Sequence, residues 1–218
     1  MSKPEIRILL VDDHAIVREG YRSLLKKQTG LSVVAEAADG IAAYQVFKET
    51  DPDITIMDLS LPGQSGLEVI ARIRKYRVRA KILVFSMHLN PGYALQANRA
   101  GAMGYVTKSS APEELIEAIY NVQKGQYSLS TDIARALAIE KLGAKVNVLE
   151  QLTVREFEIL RMLAEAMSTG DIATKLNISV KTVSNCHYLI KRKLGVSTDI
   201  ELTRLAIQTN VVSLLGMG

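Results

Sequence analysis

The chain reads as a doubly wound, five-stranded parallel α/β sheet followed by an all-helical domain, and three observations predict it. Short apolar runs recur through the first half: Ile6-Arg7-Ile8-Leu9-Leu10-Val11, Ser32-Val33-Val34-Ala35, Ile54-Thr55-Ile56-Met57, Ile82-Leu83-Val84-Phe85 and Met103-Gly104-Tyr105-Val106. Stretches long enough for helices separate them, and strands alternating with helices build a parallel sheet. Strand signals then stop beyond Gly125, so the remainder is helical. Third, Asp12, Asp13, Asp58, Ser86 and Lys108 each follow closely on one of the runs.

This last pattern carries the chemistry. In the order 2-1-3-4-5 the first and third strands are neighbours, and ligands bind outside the carboxyl ends of the strands where the winding reverses. Asp12, Asp13 and Asp58 therefore meet there, with Ser86 and Lys108 beside them. Three crowded carboxylates repel one another and call for a cation. A hard, oxygen-seeking ion such as Mg²⁺ suits them, and Lys108 adds a second positive charge for an incoming phosphoryl group.

Composition narrows the function classes. With 218 residues, 48% hydrophobic and 23% charged, this is a folded chain of one or two domains. It has neither a membrane-length apolar run nor a signal-peptide pattern, which leads to a cytoplasmic expectation and no membrane partner. One cysteine, Cys186, excludes an internal disulfide and a multi-cysteine zinc site. It is expected to pack as a small hydrophobe. The net charge of +4 is too mild to prove a nucleic-acid partner, but its distribution is informative. Between Ile172 and Thr198 stand Lys175, Lys181, Lys191, Arg192 and Lys193, without one acidic residue.

The domain limits expected are residues 1–124, a linker with a helix over 125–148, and a helical domain over 149–218. Ser130-Thr131-Asp132 caps a helix running to Leu142, with Gly143 as its stop. Ala144 to Gln151 connects onward. Thr153 caps the next helix, through Leu163 and Ala164, and Glu156 completes a capping box. A short helix from Thr169 to Leu176, a turn at Asn177-Ile178-Ser179 and a helix from Val180 to Leu194 ended by Gly195 follow. Asp199 opens the last. Two short helices joined by a tight turn, the second basic, outline a helix-turn-helix.

On a helical wheel of about 100° per residue, Val183, Ile190 and Leu194 share one stripe, flanked by Cys186 and His187. Lys181, Ser184, Asn185, Tyr188 and Arg192 occupy the opposite side, with Lys191 at its edge. A solvated face rich in donors and free of carboxylates suits the DNA major groove. Lys181, Thr182, Ser184, Asn185, Tyr188, Lys191, Arg192 and Lys193 are therefore the expected DNA-binding residues. Among them the lysines suit phosphates, and the paired donor and acceptor of Asn185 match the edge of adenine.

These motifs amount to a family resemblance. Val11-Asp12-Asp13-His14, Met57-Asp58-Leu59-Ser60-Leu61-Pro62-Gly63, Ser86-Met87-His88 and Gly101-Ala102-Met103-Gly104-Tyr105-Val106-Thr107-Lys108 closely resemble a response-regulator receiver domain of the flavodoxin/CheY-like fold. Leu152-Thr153-Val154-Arg155-Glu156, Ile178-Ser179-Val180-Lys181-Thr182-Val183 and Lys193-Leu194-Gly195-Val196 are similar to the LuxR-type helix-turn-helix. In this order they resemble the NarL/FixJ class of two-component regulators. Thr198-Asp199-Ile200-Glu201-Leu202-Thr203 with Leu205-Ala206-Ile207 looks like the GacA/UvrY type.

The resemblance implies roles. Asp58 takes a phosphoryl group from a sensor histidine kinase. Asp13, Asp58 and the Ser60 backbone carbonyl hold Mg²⁺, and Asp12 ligates it through water. Lys108 pairs with phosphoryl oxygens, Ser86 brings its hydroxyl to them, and Tyr105 swings inward as the readout. The Ser60 and His88 side chains lie where such domains tune the lifetime of the acyl phosphate. Ser184, Asn185 and Tyr188 fall at base-facing positions, and the phosphorylated protein is expected to be a homodimer on DNA. Ala166 stands where relatives end a helix in glycine, implying a slightly longer helix. Gly170, Ser184 and Cys186 also depart from the common pattern, so the target sequence does not transfer.

Two other classes account for less of the chain. A metal-dependent phosphohydrolase with an aspartyl-phosphate intermediate requires a second carboxylate two residues after the nucleophile, where this chain has Ser60, and leaves the C-terminal helices unexplained. An interaction protein working without phosphorylation has no use for Asp58 together with Lys108. The expectation is a switch and not an enzyme.

Overall fold

The computed structural model describes residues 5–62, 64–142 and 148–212. Six parallel strands form one sheet in the order β2-β1-β3-β4-β5-β6. They are β1 Ile6–Val11, β2 Leu31–Ala37, β3 Ile54–Met57, β4 Ile82–Ser86, β5 Gly104–Thr107 and β6 Ser128–Leu129. The first five follow the order expected from the sequence. The sixth corrects it: strand signals do not end at Gly125, because Ser128 and Leu129 pair with Gly104 and Tyr105. Two residues are too few to show a period-2 pattern, and pairing with β5 alone makes them a strand.

Helices α1 Ala15–Lys26, α2 Gly40–Thr50, α3 Gly66–Tyr76, α4 Pro91–Ala100 and α5 Pro112–Gln123 connect the strands. β3 and β4 are buried along their whole length, as a sheet covered on both faces requires. Ile8, Leu10, Ile54, Ile56, Leu83, Phe85 and Val106 join Leu115, Ile119 and Val122 of α5 in one core. Tyr21 meets the edge of Phe85 at a ring separation of 4.6 Å. Such a core leaves the polar strand ends as the place where chemistry can occur.

Helix α6, Thr131–Leu142, agrees with the helix expected there. Its anticipated stop at Gly143 and most of the connection from Ala144 lie outside the described residues. A 3-10 turn at Val148–Gln151 precedes α7 Val154–Ala164, α8 Thr169–Lys175, α9 Val180–Leu194 and α10 Asp199–Gln208. The chain divides into two compact units, residues 1–89 with 97–136 and residues 90–96 with 137–218.

Local signals explain the C-terminal helices well. Thr153 and Thr198 each close a capping box, with Glu156 and Glu201. Ser168 and Ser179 cap α8 and α9 by accepting from Asp171 N and Thr182 N, each at 3.1 Å. The buried residues of α9 are Val183, Ile190 and Leu194, the stripe read from the wheel.

The four helices also end alike. Ala166, Asn177, Gly195 and Asn210 each have left-handed backbone, with φ of 61°, 50°, 69° and 51°. After α7, the amide of Ala166 donates to Leu163 O and that of Met167 to Met162 O, the paired closure of a Schellman motif. Ala166 therefore does not lengthen α7, contrary to the expectation from the family pattern. It takes the glycine conformation despite its Cβ, at a steric cost of about 1–2 kcal/mol. Ala166→Gly is expected to stabilise the protein by about 0.5 kcal/mol, relieved strain exceeding the added chain entropy. Thermal unfolding checks this, and a lower melting temperature would show that Ala166 is unstrained.

Candidate functional site

The carboxyl ends of β1, β3, β4 and β5 gather the polar residues. Register aligns Val11 with Met57 and Ser86 with Thr107, which brings Asp12, Asp58 and Lys108 to one edge. Asp12 and Asp58 are only 2% and 3% exposed. Burying two like charges is costly without a cation, and Lys108 supplies it. Its Nζ lies 2.6 Å from Asp12 Oδ2 and 2.7 Å from Asp58 Oδ2. Burial pushes the Lys108 ammonium toward neutrality, but the hydrogen bonds it donates to Asp12 and Asp58 outweigh this and hold its pKa above the usual lysine value.

The remaining oxygens are held by backbone. The amide of Ser60 donates to Asp58 Oδ1 at 3.2 Å, and that of His14 to Asp12 Oδ1 at 2.9 Å. Arg18 anchors the strand end through Asp12 O at 2.6 Å. Ser86 is fully buried, and its hydroxyl lies 3.4 Å from the His88 amide. Tyr105 is inward and fully buried, donating to His88 O at 2.8 Å. His88 Nε2 in turn lies 3.2 Å from Ser60 Oγ. The five predicted groups, Tyr105 and Ser60 thus line the same end of the sheet.

The donor set fits a hard divalent cation. Asp12, Asp13 and His14 offer atoms within 4.8 Å of one another. Asp13 Oδ1 is buried and accepts no hydrogen bond, although His14 Nδ1 lies 2.7 Å away. Carboxylate oxygens are what Mg²⁺ prefers, whereas the imidazole is a poorer ligand for it. The geometry groups Asp13 with His14 and turns Asp58 toward Lys108.

Sequence reasoning missed three contributors. His14 and Arg18 hold Asp12 as described. Gly66, the first residue of α3, passes so close to the site that a Cβ there would lie 2.1 Å from Asp58 O. A lone glycine near a helix start carries no such signal in the sequence.

On α9, Lys181, Thr182, Ser184, Asn185, Tyr188 and Arg192 are exposed. Lys191 and Lys193 are half-buried and engaged: Lys191 Nζ lies 2.9 Å from Asp199 Oδ1, and Lys193 Nζ 2.6 Å from Glu156 Oε2. Burial raises the Glu156 carboxyl, but Lys193 and Thr153 pull it below the ordinary value. Cys186 is half-buried beside the stripe.

A buried aspartate pair bridged by lysine at the edge of a doubly wound sheet, joined to a helix-turn-helix, defines a receiver-type regulator. Residues 8–120 match the response regulator receiver domain, and residues 150–206 match the bacterial regulatory proteins of the luxR family. Response regulator UvrY of Escherichia coli K12 is 35% identical, covering 93% of this chain and 94% of that protein. Transcriptional activator protein ExaE of Pseudomonas putida is 40% identical, covering 94% and 97%. RcsB of Salmonella enterica serovar Typhimurium, solved bound to promoter rprA in the presence of phosphomimetic BeF3-, is 30% identical over 92% of this chain and 97% of that one, with a TM-score of 0.75. The chain belongs to the response regulators, in the NarL/FixJ class, and is a transcription regulator and not a metabolic enzyme.

Proposed function

We propose that Asp58 is the phosphoacceptor of this regulator and that its phosphorylation controls pairing and DNA binding. The observation that carries this is the single ammonium of Lys108 shared by two buried carboxylates. In the transfer, an Asp58 oxygen bonds to phosphorus while the P–N bond of a kinase phosphohistidine breaks and the imidazole leaves. Asp13, Asp58 and the Ser60 carbonyl would hold Mg²⁺, with Asp12 assisting through water, and the ion would supply charge neutralisation there. Lys108 then pairs with the phosphoryl oxygens, and the Ser86 hydroxyl approaches them.

Adding nearly two negative charges beside Lys108 and Ser86 biases the packing of Tyr105 and the neighbouring helix surfaces. Phosphorylated chains pair, and α9 enters the major groove with Ser184, Asn185 and Tyr188 at base edges and Lys181, Thr182 and Arg192 at phosphates, while Lys191 and Lys193, tied to Asp199 and Glu156, reach phosphate only by leaving those carboxylates. The solved RcsB complex, in which a structural relative is bound to a promoter with a phosphomimetic present, supports this reading. Among the described residues no helix is long and apolar enough to cross a membrane. A cytoplasmic location, with a sensor histidine kinase as donor, completes the reading. Light scattering with acetyl phosphate and Mg²⁺ is expected to double the particle mass, and an unchanged mass on fully phosphorylated protein would refute the pairing.

A further inference from the structure

Resting on the reading of α9 as the DNA-binding helix, we propose that Asp199 is a specificity-determining residue. It holds Lys191 as an intramolecular counterion and so restrains this lysine from binding DNA phosphate regardless of sequence.

The basic residues of α9 are not equivalent. Lys193 reaches Glu156, whose carboxylate is buried and also accepts from Thr153 N at 2.8 Å. That tie joins the end of α9 to the start of α7 and is structural. Lys191 reaches Asp199, the first residue of α10, whose side chain is 67% exposed. The same Asp199 oxygen lies 2.8 Å from His187 Nε2, four residues before Lys191 on α9. The hydrogen bond from Lys191 is the chief reason the Asp199 carboxyl sits below its ordinary pKa, so the counterion is a carboxylate at neutral pH.

An exposed pair of this kind exchanges readily with other ions. A DNA phosphate gains Lys191 only by displacing Asp199, so the lysine adds less to binding than a free ammonium would. Ser184, Asn185 and Tyr188 are exposed and uncharged, and the Ser184 hydroxyl donates within its own helix, to Val180 O at 3.1 Å, so Asp199 does not compete for their base reading. Asp199 thereby lowers the sequence-independent part of the affinity and leaves the base-dependent part standing.

The test titrates full-length protein onto a duplex of random sequence over a salt series. Asp199→Asn is expected to bind about threefold more tightly at low salt and to steepen the plot of log K against log salt by about 0.9, one further counterion released. Lys191→Ala alone is expected to leave that slope nearly unchanged, and in the Asp199→Asn background to cut it by about 0.9. Two results overturn the proposal: an equal gain from Asp199→Asn whether or not Lys191 is present, or a full loss of slope from Lys191→Ala alone. The second holds even if Asp199→Asn fails to fold. Failure of the unmodified protein to bind any duplex is a different outcome, overturning the DNA reading itself.

Discussion

Asp58→Asn takes up no phosphoryl group from acetyl phosphate or a phosphorylated kinase, while the unmodified protein does. A neutral amide of the same shape cannot attack phosphorus. The fold survives because Lys108 keeps Asp12 at 2.6 Å and the amide can turn its oxygen to accept from Lys108 in place of the weaker Ser60 N–H contact, now 3.2 Å. Removing one of two crowded negative charges also relieves repulsion, so unfolding free energy is expected to stay within about 0.5 kcal/mol or to rise. Intact-mass spectrometry after incubation with Mg²⁺ and acetyl phosphate checks the chemistry. A stable adduct of one phosphoryl group on the variant would remove Asp58 from the mechanism.

Lys108→Ala is expected to have the largest effect on stability. Both carboxylate oxygens facing Nζ belong to side chains about 3% exposed, and alanine leaves them without their shared cation. Removing one partner of a buried pair costs about 3 kcal/mol. A divalent cation can take over the compensation, because the Asp12 and Asp13 oxygens already converge. Urea unfolding is therefore expected to show the full loss in Mg²⁺-free buffer and much of it recovered on adding Mg²⁺. A loss below about 1 kcal/mol that ignores Mg²⁺ would mean that solvent, and not Lys108, offsets the aspartates.

What the sequence disclosed depended on the range of the interaction. β1 and β3 have the bounds expected from their apolar runs, and α9 has the bounds and buried stripe expected from the turn at Asn177-Ile178-Ser179, Gly195 and the 3.6-residue period. These are local signals. The meeting of Asp12, Asp58 and Lys108 was also legible, because the doubly wound topology carries strand ends to one edge whatever lies between them. Interactions set by tertiary placement were not legible. Leu129 becomes a strand residue only by lying beside Tyr105. Lys193 meets Glu156 from 37 positions away, and a wheel drawn for α9 alone shows both Lys191 and Lys193 as free cations. The left-handed φ of Ala166 is likewise not legible, because the sequence gives a residue's type but not its backbone angle.

Phosphorylation of Asp58 is proposed to govern DNA binding. Fluorescence anisotropy of a duplex selected from a random pool by the phosphorylated protein tests it most directly, with and without acetyl phosphate and Mg²⁺. The phosphodonor is expected to tighten binding of the unmodified protein about tenfold, within the usual range of coupling between two sites, and to leave Asp58→Asn unchanged. Equal tightening of both proteins, or of neither when the unmodified one is fully phosphorylated, would contradict it.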